Sequence, residues 1–538
     1  MSDRGPVAVL LCVAVACAPH KPDDRDPNPV RFDGTVPVAG AVAADHALAS
    51  AAGAEVLRAG GNAVDAAIAA ALASGVVNPS GSGLGGGGFV LVVPPRGEAM
   101  VLDFREVAPA GATMQAFAEG ASSTRTGTAV AVPAEGIGLD EVHRRWGRTP
   151  RAVIAAPAVR LAEEGFPTGA HLAASLEAAP DMRVLFDTGN RRPALGRALR
   201  AWAEHGGEPF RSGWIAQDFV DTVQRNGGTL TLADLAAYAV EPRTPLRGAW
   251  GARTVITMPP PSSGGVALLQ LAATVGPDTS LHCEVEATKH AMADRAAWGG
   301  DPRFANVPVA SLLAPSRVAA VVADCGSHTF APDHYGARVT PDDHGTLHIS
   351  AMDAEGWAVA LTTTVNTSFG SHLVAPQSGI VLNDEMDDFA TRLGTPNAFG
   401  LVQGDQNRVR PGARPLSSMT PTVVLDAAGR PELTLGGSGG PFIITATWQV
   451  MRSVLEAGKT PDEAVGAPRW HHQWQPDAVL AEAGVPTEAL RAAGHDVRLV
   501  ERPFSAVQVV QAAAGGFRAA SDPRKHGAPA FSAGPTAR

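Results

Sequence analysis

Behind Asp45, a side chain suited to capping a helix, the apolar residues Leu48, Ala52 and Val56 recur at helical spacing, and Gly60-Gly61 closes the run. Asn62 caps a second predicted helix through Val77, so rich in alanine that it should pack closely against a neighbour. The period then changes. A glycine run, Ser80-Gly81-Ser82-Gly83-Leu84-Gly85-Gly86-Gly87-Gly88, opens the apolar strand Phe89–Val93, and a second strand, Val101–Glu106, carries Arg105 near its end. From Thr126 to Gly300 helical and turn segments alternate, ending in a helix over Thr288–Trp298. Ser316–Asp343 is polar, has few periodic apolar positions and predicts a loose tail.

Two hairpins follow. Thr346–Met352 and Trp357–Thr363 flank the turn signal Asp353-Ala354-Glu355-Gly356. With the turn centred between Ala354 and Glu355, opposite residues have numbers summing to about 709–710. Thr346 then faces Thr363 or Thr364. The second hairpin joins Thr422–Leu425 to Glu432–Leu435 around Ala427-Ala428-Gly429, with sums near ~856. That register brings Ser417 and Ser418 opposite Gly439 and Ser438. Gly436-Gly437-Ser438-Gly439-Gly440 leads into a helix from Phe442. Gly394–Arg414, punctuated by glycine and proline, reads as a long ordered loop carrying Phe399.

Composition narrows the partners. The chain has 538 residues, 45% hydrophobic, with 43 basic and 53 acidic side chains and a net charge of −10. It has no basic block, so nucleic acid is not an expected partner. Length alone would allow roughly three or four domains. Arg4 and the apolar run Val7–Cys17 form an export leader, and the Pro- and Asp-rich stretch His20–Pro29 forms a tether. Ala14-Val15-Ala16-Cys17 resembles a bacterial lipobox, with lipid attached at Cys17; the other reading is an ordinary signal cut near Ala16 or Ala18. Export to a bacterial periplasm or cell envelope follows either way. It permits a disulfide between Cys283 and Cys325, which the spacing does not prove. No further apolar run is long enough to span a bilayer.

Three motifs invite chemistry. Gly81, Gly83 and Gly86 satisfy the dinucleotide-binding spacing, but that fingerprint must follow a strand and open a helix, and here the order is reversed. Close backbone approach beneath a site explains these glycines better. Adjacent His471 and His472 point to opposite faces of a strand and cannot easily share a metal ion. Thr346 is different. A threonine is a weak nucleophile until a base sits beside it, and cleavage after Gly345 would make its own α-amine that base. The amine's ordinary pKa, about 7.7–8.0, is already near neutrality.

The run Thr346-Leu347-His348-Ile349-Ser350 resembles the small subunit of the γ-glutamyltranspeptidases. So do Thr364-Val365-Asn366-Thr367-Ser368-Phe369-Gly370, Asn383-Asp384-Glu385-Met386-Asp387-Asp388-Phe389 and Arg414-Pro415-Leu416-Ser417-Ser418-Met419-Thr420-Pro421. The likeness extends from about Ala41 to Pro523. It implies an α+β fold, the four-layer αββα N-terminal nucleophile hydrolase sandwich. It also implies self-cleavage into a large subunit (31–345, after the leader and tether 1–30) and a small subunit (346–538), intertwined as one domain.

By the same resemblance Thr346 is the nucleophile, Thr364 orients it, and the amides of Gly439 and Gly440 hold the oxyanion. Arg105, Ser417 and Ser418 would bind the substrate's α-carboxylate; Asn366, Glu385 and Asp388 its ammonium. No cofactor and no metal is implied. The donors would be glutathione and other γ-glutamyl compounds, the acceptors water or an amino acid or dipeptide. Alternatives on the same fold are a β-lactam side-chain acylase and a poly-γ-glutamate depolymerase. An uncleaved exported protein that only binds γ-glutamyl peptides is the alternative outside enzymes. Pro441-Phe442 stands where the family often has Ser-Arg, and Phe399 where several members have tyrosine.

Overall fold

The computed structural model describes residues 38–335, 346–395, 397–398, 401, 404–500 and 505–533. The leader with Cys17, the cleavage residue Gly345 and the loop residue Phe399 lie outside them.

Two antiparallel sheets carry the fold. Before the cleavage point the strands are β1 (Val38–Ala44), β2 (Gly87–Val93), β3 (Met100–Phe104), β4 (Glu241–Arg243), β5 (Leu246–Trp250) and β6 (Arg253–Thr257). After it come β7 (Leu347–Asp353), β8 (Ala358–Thr364), β9 (Thr422–Leu425), β10 (Pro431–Ser438), β11 (Ala506–Ala513), β12 (Gly516–Ser521) and β13 (Ala530–Ala533). One sheet runs β13-β1-β7-β8-β2-β3-β4 and the other β12-β11-β10-β9-β6-β5. Each sheet mixes strands from both sides of Gly345, so the two halves share one core.

Alternation along the strands makes the layers. In β2, Phe89 and Leu91 face the second sheet, among Ile256, Val423 and Val510. Val90 and Val92 face outward onto helices α1 (Ala47–Arg58) and α2 (Ala63–Val77). On the far side α3 (Gly264–Thr274) and α5 (Phe442–Leu455) cover the second sheet through Leu268, Leu271, Trp448 and Met451. The order is helix, sheet, sheet, helix: the four-layer sandwich. Helix α4 (Leu281–Trp298) packs beside α3. Alanine lines α2 because the helix is buried along its whole length.

Several expectations need correction. His46 caps α1, its Nδ1 accepting from the Leu48 amide at 3.1 Å, while Asp45 turns toward the nucleophile strand. Strands β4–β6 lie where helices and turns were expected; Pro242, Pro245 and Gly248 interrupt their short patterns. The expected loose tail instead begins with a helix over Pro315–Ala323 and is tied back by a Cys283–Cys325 disulfide. Ser417 does not oppose Gly439, and Ser418 does not oppose Ser438: β9 starts only at Thr422, and Ser438 pairs with Ala506. Both serines instead lie on a segment that bridges Ser417 to Ser262.

Candidate active site

The hairpin register holds. Leu347 pairs with Thr363, which sets Thr346 beside Thr364, and the two hydroxyls lie 3.3 Å apart. Thr364 is fixed on its other side by the Asn366 amide, which donates to its Oγ1 at 2.8 Å. Asn366 itself has φ +77, a left-handed conformation that asparagine tolerates, and its side-chain amide donates to the Asp384 carbonyl.

The glycine run supports this hairpin from below. A Cβ on Gly86 would stand 1.9 Å from the Thr364 carbonyl oxygen, and one on Gly85 2.0 Å from that of Val381. Only glycine permits backbones to approach so closely. The Asn383 side-chain amide donates to the Gly85 and Ala131 carbonyls, and its oxygen accepts from the Glu385 amide. The acidic 3₁₀ turn Glu385–Asp388 is thereby locked onto the floor of the site.

Arg105 meets that turn. Its Nη1 pairs with Glu385 and its Nη2 with Asp388, all three buried. Its Nε donates to the Pro415 carbonyl at 3.3 Å, and Nη2 also to that of Leu416 at 3.2 Å. Two neighbouring carboxylates repel unless a cation separates them, and Arg105 is that cation. Burial opposes the guanidinium charge, but Glu385 and Asp388 outweigh it and push its pKa up. Beneath lies Glu106, whose carboxyl burial pushes up to about 7 against the pull of Arg105. Glu135, held by the Ser82 hydroxyl, is pushed by burial to about 8. Ser82 in turn touches the Thr363 hydroxyl at 2.6 Å.

Ser417 and Ser418 are placed by the loop Pro259–Gly265. Ser262 Oγ donates to the Met419 carbonyl at 2.6 Å and Ser263 Oγ to that of Ser417 at 2.8 Å. That loop is structural: its hydrogen bonds position the serines. Gly439 and Gly440 both have positive φ, at 116° and 54°, where β10 turns into α5. Thr346, Thr364, Arg105, Asn366, Glu385, Asp388, Ser417, Ser418 and Gly440 all border one cleft. Gly439 stands next to it in the chain. From the loop above, Leu401 borders the same cleft, and Asn397 donates to Asp388 at 3.4 Å.

Sequence reasoning missed three contributors. Lys525 Nζ donates to the Thr346 carbonyl at 2.7 Å and pairs with Asp45 at 2.9 Å. Asp45 also accepts from the His348 amide and from Ser438 and Gln508 side chains. Arg295, noted only as part of a helix, borders the cleft and donates to Ser418 Oγ at 3.1 Å. No local pattern marks such residues, because their partners are distant in sequence.

His348 shows how the strand after the nucleophile is held. Ser350 donates to the Gln508 carbonyl, so it accepts from His348 Nε2–H, leaving Nδ1 to accept from Thr362 at 2.8 Å. Burial pushes this imidazole down to about 3, so it is neutral.

The paired histidines behave as structural residues. His471 bonds Thr445 and Gln473, and His472 accepts from the Trp474 amide. Among the described residues two other groups have ligand atoms close enough for a metal: His282, Glu286 and His495, and His290, Asp324 and His334. Each is closed by its own hydrogen bonds, and none borders the Thr346 cleft.

A threonine that opens a central strand of an αββα sandwich is the arrangement of the N-terminal nucleophile hydrolases, and this protein has that fold. The family model described as gamma-glutamyltranspeptidase matches residues 49–532. The glutathione hydrolase proenzyme of Escherichia coli (strain K12) is 35% identical, covering 97% of each chain. Glutathione hydrolase proenzyme 1 of Schizosaccharomyces pombe is 38% identical over 90% of this chain and 83% of its own. Among solved structures, a cephalosporin acylase from Bacillus halodurans superposes with a TM-score of 0.81 at 27% identity, covering 96% of this chain and 99% of its own. The Helicobacter pylori gamma-glutamyltranspeptidase superposes with a TM-score of 0.52 at 30% identity, covering 57% of this chain and 96% of that one. The chain belongs to the γ-glutamyltranspeptidase family and is an enzyme of γ-glutamyl transfer and hydrolysis.

Proposed function

We propose that the precursor cleaves itself between Gly345 and Thr346, and that the new N-terminal threonine then takes γ-glutamyl groups from glutathione and related donors. The observation that carries this reading is the 3.3 Å approach of the Thr346 and Thr364 hydroxyls beside the Arg105–Glu385–Asp388 cluster. Thr346 Oγ attacks the γ-amide carbonyl while its α-amine takes the proton. The Gly439 and Gly440 amides hold the oxyanion, each donor worth roughly 3–4 kcal/mol in comparable sites. The proton passes to the departing amine, leaving a γ-glutamyl ester on Thr346. Water or an amino acid or dipeptide then attacks the ester and frees the threonine.

The head group is read by charge. Asn366, Glu385 and Asp388 take the α-ammonium; Arg105, Ser417 and Ser418 serve the α-carboxylate. Two guanidiniums, Arg105 and Arg295, and two carboxylates border the cleft, a balance that suits a zwitterion. A glutaryl group, as in a β-lactam side-chain acylase, brings a carboxylate without the ammonium and leaves the acidic pair unmatched. A poly-γ-glutamate chain blocks that ammonium in an amide at every internal residue. Export to the cell envelope, with or without lipid at Cys17, is supported by the Cys283–Cys325 disulfide, since such bonds persist in oxidising compartments.

A chromogenic γ-glutamyl anilide, with and without glycylglycine, tests the reading. Release of the aniline by a protein that runs as two bands, the smaller beginning Thr-Leu-His-Ile-Ser, is expected. Cleavage of glutaryl or polymeric donors alone would favour the acylase or depolymerase. Binding by an uncut chain without turnover would make it a binding protein.

A further inference from the structure

We propose that His290, Asp324 and His334 form a binding site for a divalent ion of the zinc class, which fastens the segment ahead of the cleavage point to helix α4. The site is separate from the Thr346 cleft, and the inference does not depend on which donor the enzyme uses.

The three side chains come from three elements. His290 projects from α4, Asp324 caps the C-terminal end of the helix Pro315–Ala323, and His334 lies on the 3₁₀ turn Pro332–His334. Both imidazoles present Nε2 to one oxygen, Asp324 Oδ2, His290 at 2.8 Å and His334 at 2.6 Å. The three atoms lie within 4.8 Å of one another. Imidazole nitrogen and carboxylate oxygen are both zinc ligands, at about 2.0–2.2 Å. Ligands around a tetrahedral ion at that distance stand about 3.4 Å apart, so each nitrogen need part from the oxygen by less than about 1 Å. The ion takes the place of both Nε2 protons. The hydrogen bonds that close the group then give way to metal–ligand bonds, and each neutral ring carries its proton on Nδ1.

The surroundings hold these rings in place, as the outer partners of metal ligands do. Phe330 stacks on His334 with ring centroids 4.2 Å apart, and Tyr335 meets His290 edge-on at 4.8 Å. Trp474 Nε1 donates to the Pro332 carbonyl at 2.9 Å, which pins the turn carrying His334. Cys283 and His290 lie seven positions apart, on one face of α4. They hold the adjacent residues Cys325 and Asp324, so the ion and the disulfide tie the same segment to the same helix. Arg317 bears on His290 as a cation, but it is paired with Asp294 at 3.0 Å. The site is open to solution, with the His334 and Asp324 side chains 37% and 28% exposed.

The second histidine group lacks this geometry. His282 Nδ1 and His495 Nε2 bond each other at 2.7 Å, and Glu286 accepts from the Thr329 hydroxyl at 2.7 Å and from that of Tyr335. All three residues are buried, and an ion there would displace interior hydrogen bonds.

Zinc chloride added to the tag-free, EDTA-stripped protein tests the site by calorimetry and by melting. One ion per chain should bind, and Tm should rise with zinc concentration. Co2+ in its place should give the visible absorption of a bound ion. His334→Gln and Asp324→Asn, both at the surface, should each weaken zinc binding at least about tenfold and abolish the Co2+ band. His495→Gln should bind zinc as the parent does. All variants are compared below their own zinc-free Tm, so a loss of binding is not a loss of fold. A parent that binds no zinc would overturn the assignment, as would undiminished binding in His334→Gln or in Asp324→Asn. A loss in His495→Gln as large as in His334→Gln would refute it too.

Discussion

The guanidinium of Arg105 is held between the carboxylates of Glu385 and Asp388, residues that follow it by 280 and 283 positions. The groups expected to read opposite ends of the substrate are thus paired with each other. Arg105→Ala leaves two like charges together, and Asp388→Ala leaves the cation with Glu385 and, at 3.9 Å, Glu106. Each truncation should lower kcat/KM at least tenfold, in line with about 2–5 kcal/mol for breaking a buried charged pair. The double variant should lose much less than the product of the two. Strictly multiplicative losses in the double-mutant cycle would show that the pair does not act as a unit. Self-cleavage should survive in all three.

Thr364→Ala removes the hydroxyl beside the nucleophile. Self-cleavage should slow, and the mature enzyme should lose about tenfold to a hundredfold in kcat, as expected for a hydrogen bond to a reacting group. Thr346→Ala should remain a single uncut band. A Thr364→Ala enzyme as fast as the parent in single-turnover acylation would remove Thr364 from the mechanism.

Gly86→Ala should fail structurally. Its Cβ would meet the Thr364 carbonyl at 1.9 Å, backbone against backbone, with no side chain able to move aside. A loss of about 3 kcal/mol or more is expected, with poor self-cleavage. Gly466→Ala, where nothing lies within 4 Å of the added carbon, serves as the neutral control. Denaturant midpoints compare the two.

Glu135 gives stability a pH dependence. Burial raises its pKa from an ordinary 4.5 to about 8. Between those values the folded state holds a proton that the unfolded chain has released, so this carboxyl's stabilising contribution is full below pH 4.5 and is lost as pH rises toward 8. Glu135→Gln keeps the hydrogen-bonding shape without the titration. Its stability relative to the parent should rise by about 1.4 kcal/mol per unit from about pH 5 to 8, then level off. A difference that stays flat across that range would mean the carboxyl titrates normally.

The Cys283–Cys325 disulfide spans 42 residues and lies away from the cleft. Replacing both cysteines by serine should cost about 3–4 kcal/mol of stability and leave kcat/KM unchanged. A large loss of activity at a temperature where the variant is folded would link this bond to the site.

The nucleophile hairpin was legible from residue types alone, because a two-residue period and an Asp-Ala-Glu-Gly turn leave two adjacent registers, of which the structure takes the one that sets Thr346 beside Thr364. The glycine run could be read as close backbone approach, since its order of helix, then strand, excluded a nucleotide loop. Strands β4–β6 were not legible: three to five residues long, they are held by pairing of β4 with β3, of β5 with β6 and of β6 with β9. The capping role assigned to Asp45 fell to His46 because Lys525, Ser438 and Gln508 draw the aspartate elsewhere. Local sequence therefore determined which residues could do chemistry. The tertiary structure decided which of them meet: it paired Arg105 with both acidic residues and brought Arg295, a helix residue with no local signal, to Ser418 at the cleft. Charge pairing in a buried site depends on distances between remote segments, and a one-dimensional pattern does not encode those distances.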